Sequence, residues 1–145
     1  MKFIKKILVK ILLFIVNAGV KDITAPAFAA LAKPKLRPQQ TEFAGNLAKL
    51  ISYAMTLPNY AITIGEVERT KEQQAIYVAK GLSKTSNSKH LIRLAADLFV
   101  FINGEYRTDR SAYQPLADYW KTLHPRNVSG CDWGWDYNHF QQNPL

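Results

Sequence analysis

The chain has 145 residues, 48% of them apolar and 21% charged, which is enough to bury one core and excludes a disordered chain or one embedded throughout in a membrane. The formal net charge is +8, but residues 1–38 hold eight Lys/Arg against the single Asp22 and so account for +7 of it. The rest of the chain lacks the cationic bias of a phosphate-binding surface, so nucleic acid is not an expected partner, and the lone Cys131 excludes an intrachain disulfide.

The chain opens with MKFIKKILVK and then ILLFIVNAGV, a basic start followed by a ten-residue apolar run. That run is short for a membrane span and suits the apolar region of a secretory signal, with small-residue cleavage sites at Val16-Asn17-Ala18 and Ala27-Phe28-Ala29. The rival reading is an amphipathic surface helix, with Ile4, Ile7, Leu8, Ile11, Leu12 and Ile15 on one face and Lys2, Lys6 and Lys10 on the other. Under either, residues 1–35 form a leader and linker, with KPKLRP leading into the domain, and residues 1–20 are the part suited to transient membrane association.

From Leu36 onward one domain is expected, running to Leu145. Phe43, Leu47, Leu50, Ile51 and Ala54 recur at helical spacing, predicting a helix over about 37–56 that stops before Pro58. AITIGEVE, residues 61–68, is β-branched and predicts a strand. Thr70 and Gln73 form a capping pair for a helix through KEQQAIYVAK that Gly81 ends, and residues 82–89 are a polar loop. Residues 97–102 read as a strand and Asn103-Gly104 as a tight hairpin turn. Residues 111–123 carry Tyr113, Leu116, Ala117 and Trp120 on one helical face, and CDWGWDYNHF predicts one or two short strands that would include Cys131. Helices around a small antiparallel sheet make the fold class α+β.

SKHLIRLAADL, residues 88–98, sets His90 seven residues before Asp97 at the mouth of an apolar strand, and His139 lies in DYNHF three residues after Asp136. A carboxylate entering an apolar strand needs a partner. Spacing leaves two answers open, a salt-bridged structural Asp97 or a metal ion shared by His90, Asp97 and His139, with Asp136 as a separate base. His124, before Pro125, reads as a helix-end residue.

Taken together, SKHLIRLAADL and the C-terminal NHF resemble the Ser-x-His-(x)6-Asp and His signature of the zinc peptidases related to VanY-type D-alanyl-D-alanine carboxypeptidases, and most nearly the phage L-alanyl-D-glutamate endopeptidases. ITIGEVERTKEQQAIYVAKGLSKTSNSKH resembles that branch's strand, turn, Gln-containing helix and Gly-x-Ser-Lys loop, so the likeness covers about residues 36–142. It implies a zinc DD-peptidase/hedgehog-like fold, Zn2+ held by His90, Asp97 and His139, and Asp136 as catalytic base. Arg69 would grip a substrate carboxylate or the developing oxyanion, and Ser88 would bond substrate or a metal ligand. The chain departs from the pattern at Arg93, where many relatives carry Gly, and at Glu68, where they carry Tyr; Arg93 would then line the cleft as a further substrate-binding group.

The implied activity is hydrolysis of the peptidoglycan stem peptide, first between L-Ala and D-Glu, with removal of a terminal D-Ala as the alternative. A second class of reading is a non-catalytic zinc-containing module that binds cell-wall peptide, or a cationic N-terminus acting on membranes. A monomer is expected, exported to the envelope if the leader is a signal and otherwise cytoplasmic until lysis.

Overall fold

The computed structural model of the protein describes residues 35–145, and the readings made for residues 1–34 (signal peptide, cleavage sites, surface helix, membrane association) lie outside the described residues. Helix α1 (Leu36–Ala54) takes in Leu36-Arg37-Pro38, so the last three residues of the expected linker are helical. Pro38 is tolerated because first-turn amides have no intrahelical acceptor. Its buried stripe is Gln39, Phe43, Asn46, Leu50 and Ala54, close to the predicted face.

Strand β1 (Tyr60–Ile64) is shorter than the predicted 61–68. Beyond it the chain stays beside β2 (Ala95–Ile102) for one further exchange, in which Gly65 N–H donates to Asp97 O at 2.7 Å and Asp97 N–H to Glu66 O at 3.0 Å. Gly65 has a steric reason: a Cβ there would stand 3.0 Å from the Phe99 ring and 3.2 Å from Asp97 O. Helix α2 (Lys71–Ala79) starts as predicted, the Thr70 hydroxyl accepting from Gln73 N–H at 3.2 Å. It ends at Gly81, φ +71°, where Gly81 N–H reaches Val78 O at 3.0 Å and Leu82 N–H reaches Tyr77 O at 2.8 Å, the paired bonds of a Schellman stop.

Asn103 and Gly104, both at positive φ, join β2 to β3 (Glu105–Arg107) in the predicted two-residue turn. Helix α3 (Arg110–Leu123) is capped by Asp109, which accepts from Ala112 N–H at 3.2 Å, and buries Ala112, Tyr113, Leu116, Ala117 and Trp120. The Trp120 indole donates to Val128 O at 3.2 Å and to Gln141 O at 3.1 Å, tying α3 to β4 (Asn127–Ser129) and β5 (His139–Gln142). His124 ends α3 as predicted, with Nε2 2.6 Å from Glu42 Oε1 on α1.

The sheet runs β1-β2-β5-β4, with β3 also on β2, and every pair is antiparallel. Because β1 occupies one edge of β2 along its length, β5 and β3 share the other. Alternation along β2 sends Leu98 and Val100 into the core with α1 and α3, and Asp97, Phe99 and Phe101 to the opposite face. This is the expected α+β arrangement. One expectation holds only in part: CDWGWDYNHF starts as a helical turn, α4 (Gly130–Trp133), followed by a left-handed Gly134, and only its last two residues enter a strand, β5, so Cys131 is a buried helical residue and not a strand residue. The Asp132 carboxylate, accepting from Ser129 N–H at 3.0 Å, ties down that turn. No helix among the described residues is long and apolar enough to cross a membrane.

Candidate metal centre

Asp97 on β2 and His139 on β5 are directly opposite. The backbone groups of Asp97 point to the β1 side, so this is the non-hydrogen-bonded kind of antiparallel pair, in which facing side chains come closest. His90 arrives from a single 3-10 turn, Lys89–Ile92, capped by Ser88, whose Oγ accepts from His90 N–H at 3.4 Å. Arg69 N–H donates to His90 O at 3.3 Å and pins that turn to the segment leaving β1.

The three side chains converge on one point. His90 Nε2 and His139 Nδ1 are 3.2 Å apart, and Asp97 Oδ1 lies 3.4 Å from the first and 3.1 Å from the second. Zinc bonds of ~2.0–2.1 Å at tetrahedral angles separate ligand atoms by roughly 3.3 Å, so the triangle fits such an ion. The outer nitrogens fit too. His90 Nδ1 is 3.3 Å from Val67 O and His139 Nε2 is 3.2 Å from Gln141 Oε1, acceptors that fix the tautomers and aim a lone pair of each ring inward. His90, Asp97 and His139 can therefore hold a metal ion.

Electrostatics agree with a site built for positive charge. Burial would raise the Asp97 carboxyl, but hydrogen bonds from His139 and His90 and their charge outweigh it and hold it at about 2. For His139 burial works downward, and the Asp97 hydrogen bond and charge more than offset it, so the imidazole is raised.

The triangle lies in a cleft of about 700 Å3. One wall is α2 with the 82–89 loop, the other Trp133, Trp135 and Asp136, and Lys84 Nζ sits 3.9 Å over the Trp135 ring between the two walls. Asp136, at φ 57°, stands at the open side as an exposed residue, yet cleft atoms crowd its carboxyl; this desolvation, with the charge of Asp97, raises its pKa. Its position depends on Gly130, where a Cβ would fall 1.7 Å from Asp136 O.

Arg69 lines the cleft with a side chain 10% exposed, so its pairing with Glu66 (Nε and Nη2 to Oε2 at 2.9 and 2.5 Å) is not a surface ion pair. Nη1 donates to Gln74 Oε1 at 2.8 Å and the guanidinium lies 4.6 Å over the Tyr77 ring. Three of its five N–H groups are thereby used, and two remain for a ligand. Ser88 lines the cleft and also caps the His90 turn. Gln74, unforeseen as a site residue, is the one buried residue of α2, and its Nε2 bonds Ser83 Oγ at 2.8 Å and Thr85 O at 2.5 Å. A polar residue buried on an otherwise exposed helix marks such a hub, but burial is not visible in sequence.

Arg93 is not where the resemblance put it. It does not line the cleft; it stands at φ 53°, a left-handed position that glycine occupies without strain, and its Nη1 lies 3.8 Å from Glu68 Oε2. The two departures from the family pattern therefore pair with each other, on a surface where both side chains are more than half exposed.

The fold and the donor set define a class: an α+β domain whose sheet and the turn before its central strand present two imidazoles and a carboxylate to an open cleft. The chain belongs to the phage L-alanyl-D-glutamate peptidase family, whose model matches residues 31–143. It is 40% identical over 84 residues to the L-alanyl-D-glutamate peptidase of Listeria phage A118, a match that takes in 57% of this chain and 28% of that relative's length. The crystal structure of the L-Ala D-Glu endopeptidase ChiX of Serratia marcescens superposes with a TM-score of 0.57 at 20% identity, covering 77% of this chain and 89% of that one, a likeness of fold.

Proposed function

We propose that the protein is a zinc-dependent peptidoglycan peptidase that hydrolyses the L-Ala–D-Glu bond of the stem peptide. The observation that carries the reading is the triangle of His90 Nε2, His139 Nδ1 and Asp97 Oδ1, with sides of 3.1 to 3.4 Å, on the floor of a cleft. Membership in the peptidase family and the activity for which the relatives are named support the choice of bond. Zinc held there would supply Lewis acidity, activating water and polarising a carbonyl.

The chain's own residues supply the rest. Asp136, close enough to the triangle to feel Asp97 and His139, takes the proton of the attacking water on its carboxylate and returns it to the leaving amine nitrogen. Its raised pKa suits that exchange, since a base with affinity nearer neutrality both takes and gives a proton. Arg69 offers its two remaining N–H groups to a substrate carboxylate, and Glu66, Gln74 and Tyr77 hold the fork in place. Ser88 keeps His90 aimed. Arg93 has no part in this.

The test is removal and restoration of metal. Hydrolysis of purified cell wall should vanish with chelator and return with about one equivalent of zinc per chain, and His90→Ala should abolish both zinc retention and hydrolysis. Full activity of chelated protein, or full zinc retention by His90→Ala, would overturn the assignment.

A further inference from the structure

A second groove, of about 350 Å3, adjoins the metal cleft and shares Trp135 and Asp136 with it. Its other lining includes Tyr106 from β3, Thr108 from the turn into α3, and Asn138 just before β5. Two of its tyrosine hydroxyls are already committed to backbone, Tyr113 to Arg107 O at 3.0 Å and Tyr137 to Gly134 O at 2.9 Å. Tyr106 differs. The residue is 51% exposed, and its ring packs on Phe99 and Phe101, with centroids 5.8 and 5.5 Å away. The groove thus combines two exposed aromatic rings, Tyr106 and Trp135, with a hydroxyl and a carboxamide. That is the chemistry that takes a sugar, whose C–H faces pack on aromatic rings while its hydroxyl and acetamido groups need hydrogen bonds.

Its place along the sheet gives the groove a direction. The segment that carries Arg69 borders Asp97 on the β1 edge of β2, whereas β3 and β5, and with them Tyr106 and Asn138, lie on the other edge. A peptide lying across the triangle with a carboxylate at Arg69 therefore sends its other end into the groove. In the reading of the previous section the D-Glu side carries that carboxylate, and the other side is a single L-Ala amide-linked to the lactyl group of the glycan. At ~3.6 Å per residue the sugar falls within roughly 7 Å of the scissile carbonyl, so it lands next to Asp136 and not beyond the domain. Resting on that reading of the activity, we propose that the groove at Tyr106, Thr108 and Asn138 is a subsite for the muramyl sugar, making the protein selective for stem peptide still attached to glycan.

The experiment compares two substrates that share one stem peptide, one free and one carrying the disaccharide, cleaved by the zinc-loaded full chain. The disaccharide form should show a kcat/KM about tenfold higher, equivalent to ~1.4 kcal/mol of added binding. Tyr106→Ala and the conservative Thr108→Val should each erase most of that preference while leaving the rate on free peptide unchanged. A wild-type enzyme that cleaves both forms equally overturns the subsite and leaves the activity standing. A preference that survives both substitutions, or an equal loss on both substrates in both variants, also overturns it. If neither substrate is cut, the assigned activity fails and the subsite with it.

Discussion

Asp136 faces competing demands, since its carboxyl must be ionised to take a proton yet basic enough to want one. Partial desolvation and the neighbouring Asp97 raise its pKa, while His139 and His90 pull the other way. Asp136→Asn should keep the shape of the cleft and the zinc while turnover falls ~10²–10⁴-fold, the usual contribution of a positioned acid or base; metal analysis alongside single-turnover kinetics checks both halves. Loss of zinc would make Asp136 a ligand instead. Arg69→Lys should raise KM more than it lowers kcat, because lysine keeps the charge and loses the planar fork that Glu66 and Gln74 hold. The pH behaviour of the ligands has a definite sign. In metal-free protein the raised His139 contributes stability that is complete below its unfolded value near 6.5 and is lost as pH rises through its folded value. The depressed Asp97 contributes stability above its unfolded 3.8 that is lost as pH falls toward about 2. Zinc needs neutral imidazoles, so its binding strengthens with pH. The gap in Tm between zinc-loaded and metal-free protein should therefore widen from pH 6 to pH 8; a constant gap would contradict binding through the two imidazoles.

Two elements set the walls of the cleft, and each hangs on one residue. Helix α2 buries only Gln74, whose three hydrogen bonds join Arg69 to the 83–85 loop. α4 packs so close to residues 135–136 that Gly130 has no room for a Cβ. Gly130→Ala should cost about 1–3 kcal/mol of stability, typical of overpacking, and lower turnover by displacing Asp136 with zinc content unchanged; thermal melts and metal analysis measure it. Neither dependence was legible from sequence, because burial of a glutamine and a backbone approach across the chain leave no local periodicity. The capping of α2, the Asn-Gly hairpin and the helical face of Trp120 were legible, since each is written in residues a few positions apart. The strand reading of CDWGWDYNHF holds for His139-Phe140 and fails at its start, where Asp132 accepts from Ser129 N–H three residues back and turns the chain into helix. β4, three residues long, offers no period to detect. At the site, the two histidines and Asp97 were legible as an ordered motif, but the place of Arg93 was not, because a motif position does not say which way a left-handed residue closing a turn will aim its side chain.

At the scale of the molecule, sheet order brings residues 90, 97 and 139 into one triangle: β5 inserts between β2 and β4, so the last ligand lands beside a strand more than forty residues upstream. Residues 35–145 form a compact unit with their own core, and we propose that residues 36–145 are a self-sufficient peptidase domain. A chain starting at Lys35 should unfold in one cooperative transition and bind zinc as the full chain does; a broad transition or loss of binding would show that residues 1–34 belong to the domain. The charge imbalance is consistent with this division, since the excess of cations lies almost wholly before residue 39. The central claim, zinc-dependent scission between L-Ala and D-Glu, is tested most directly by mass analysis of the fragments that zinc-loaded protein releases from purified peptidoglycan. The account predicts glycan retaining only L-Ala and peptides with a new N-terminal D-Glu, both absent after chelation. Release of D-Ala alone, with L-Ala–D-Glu intact, would contradict it.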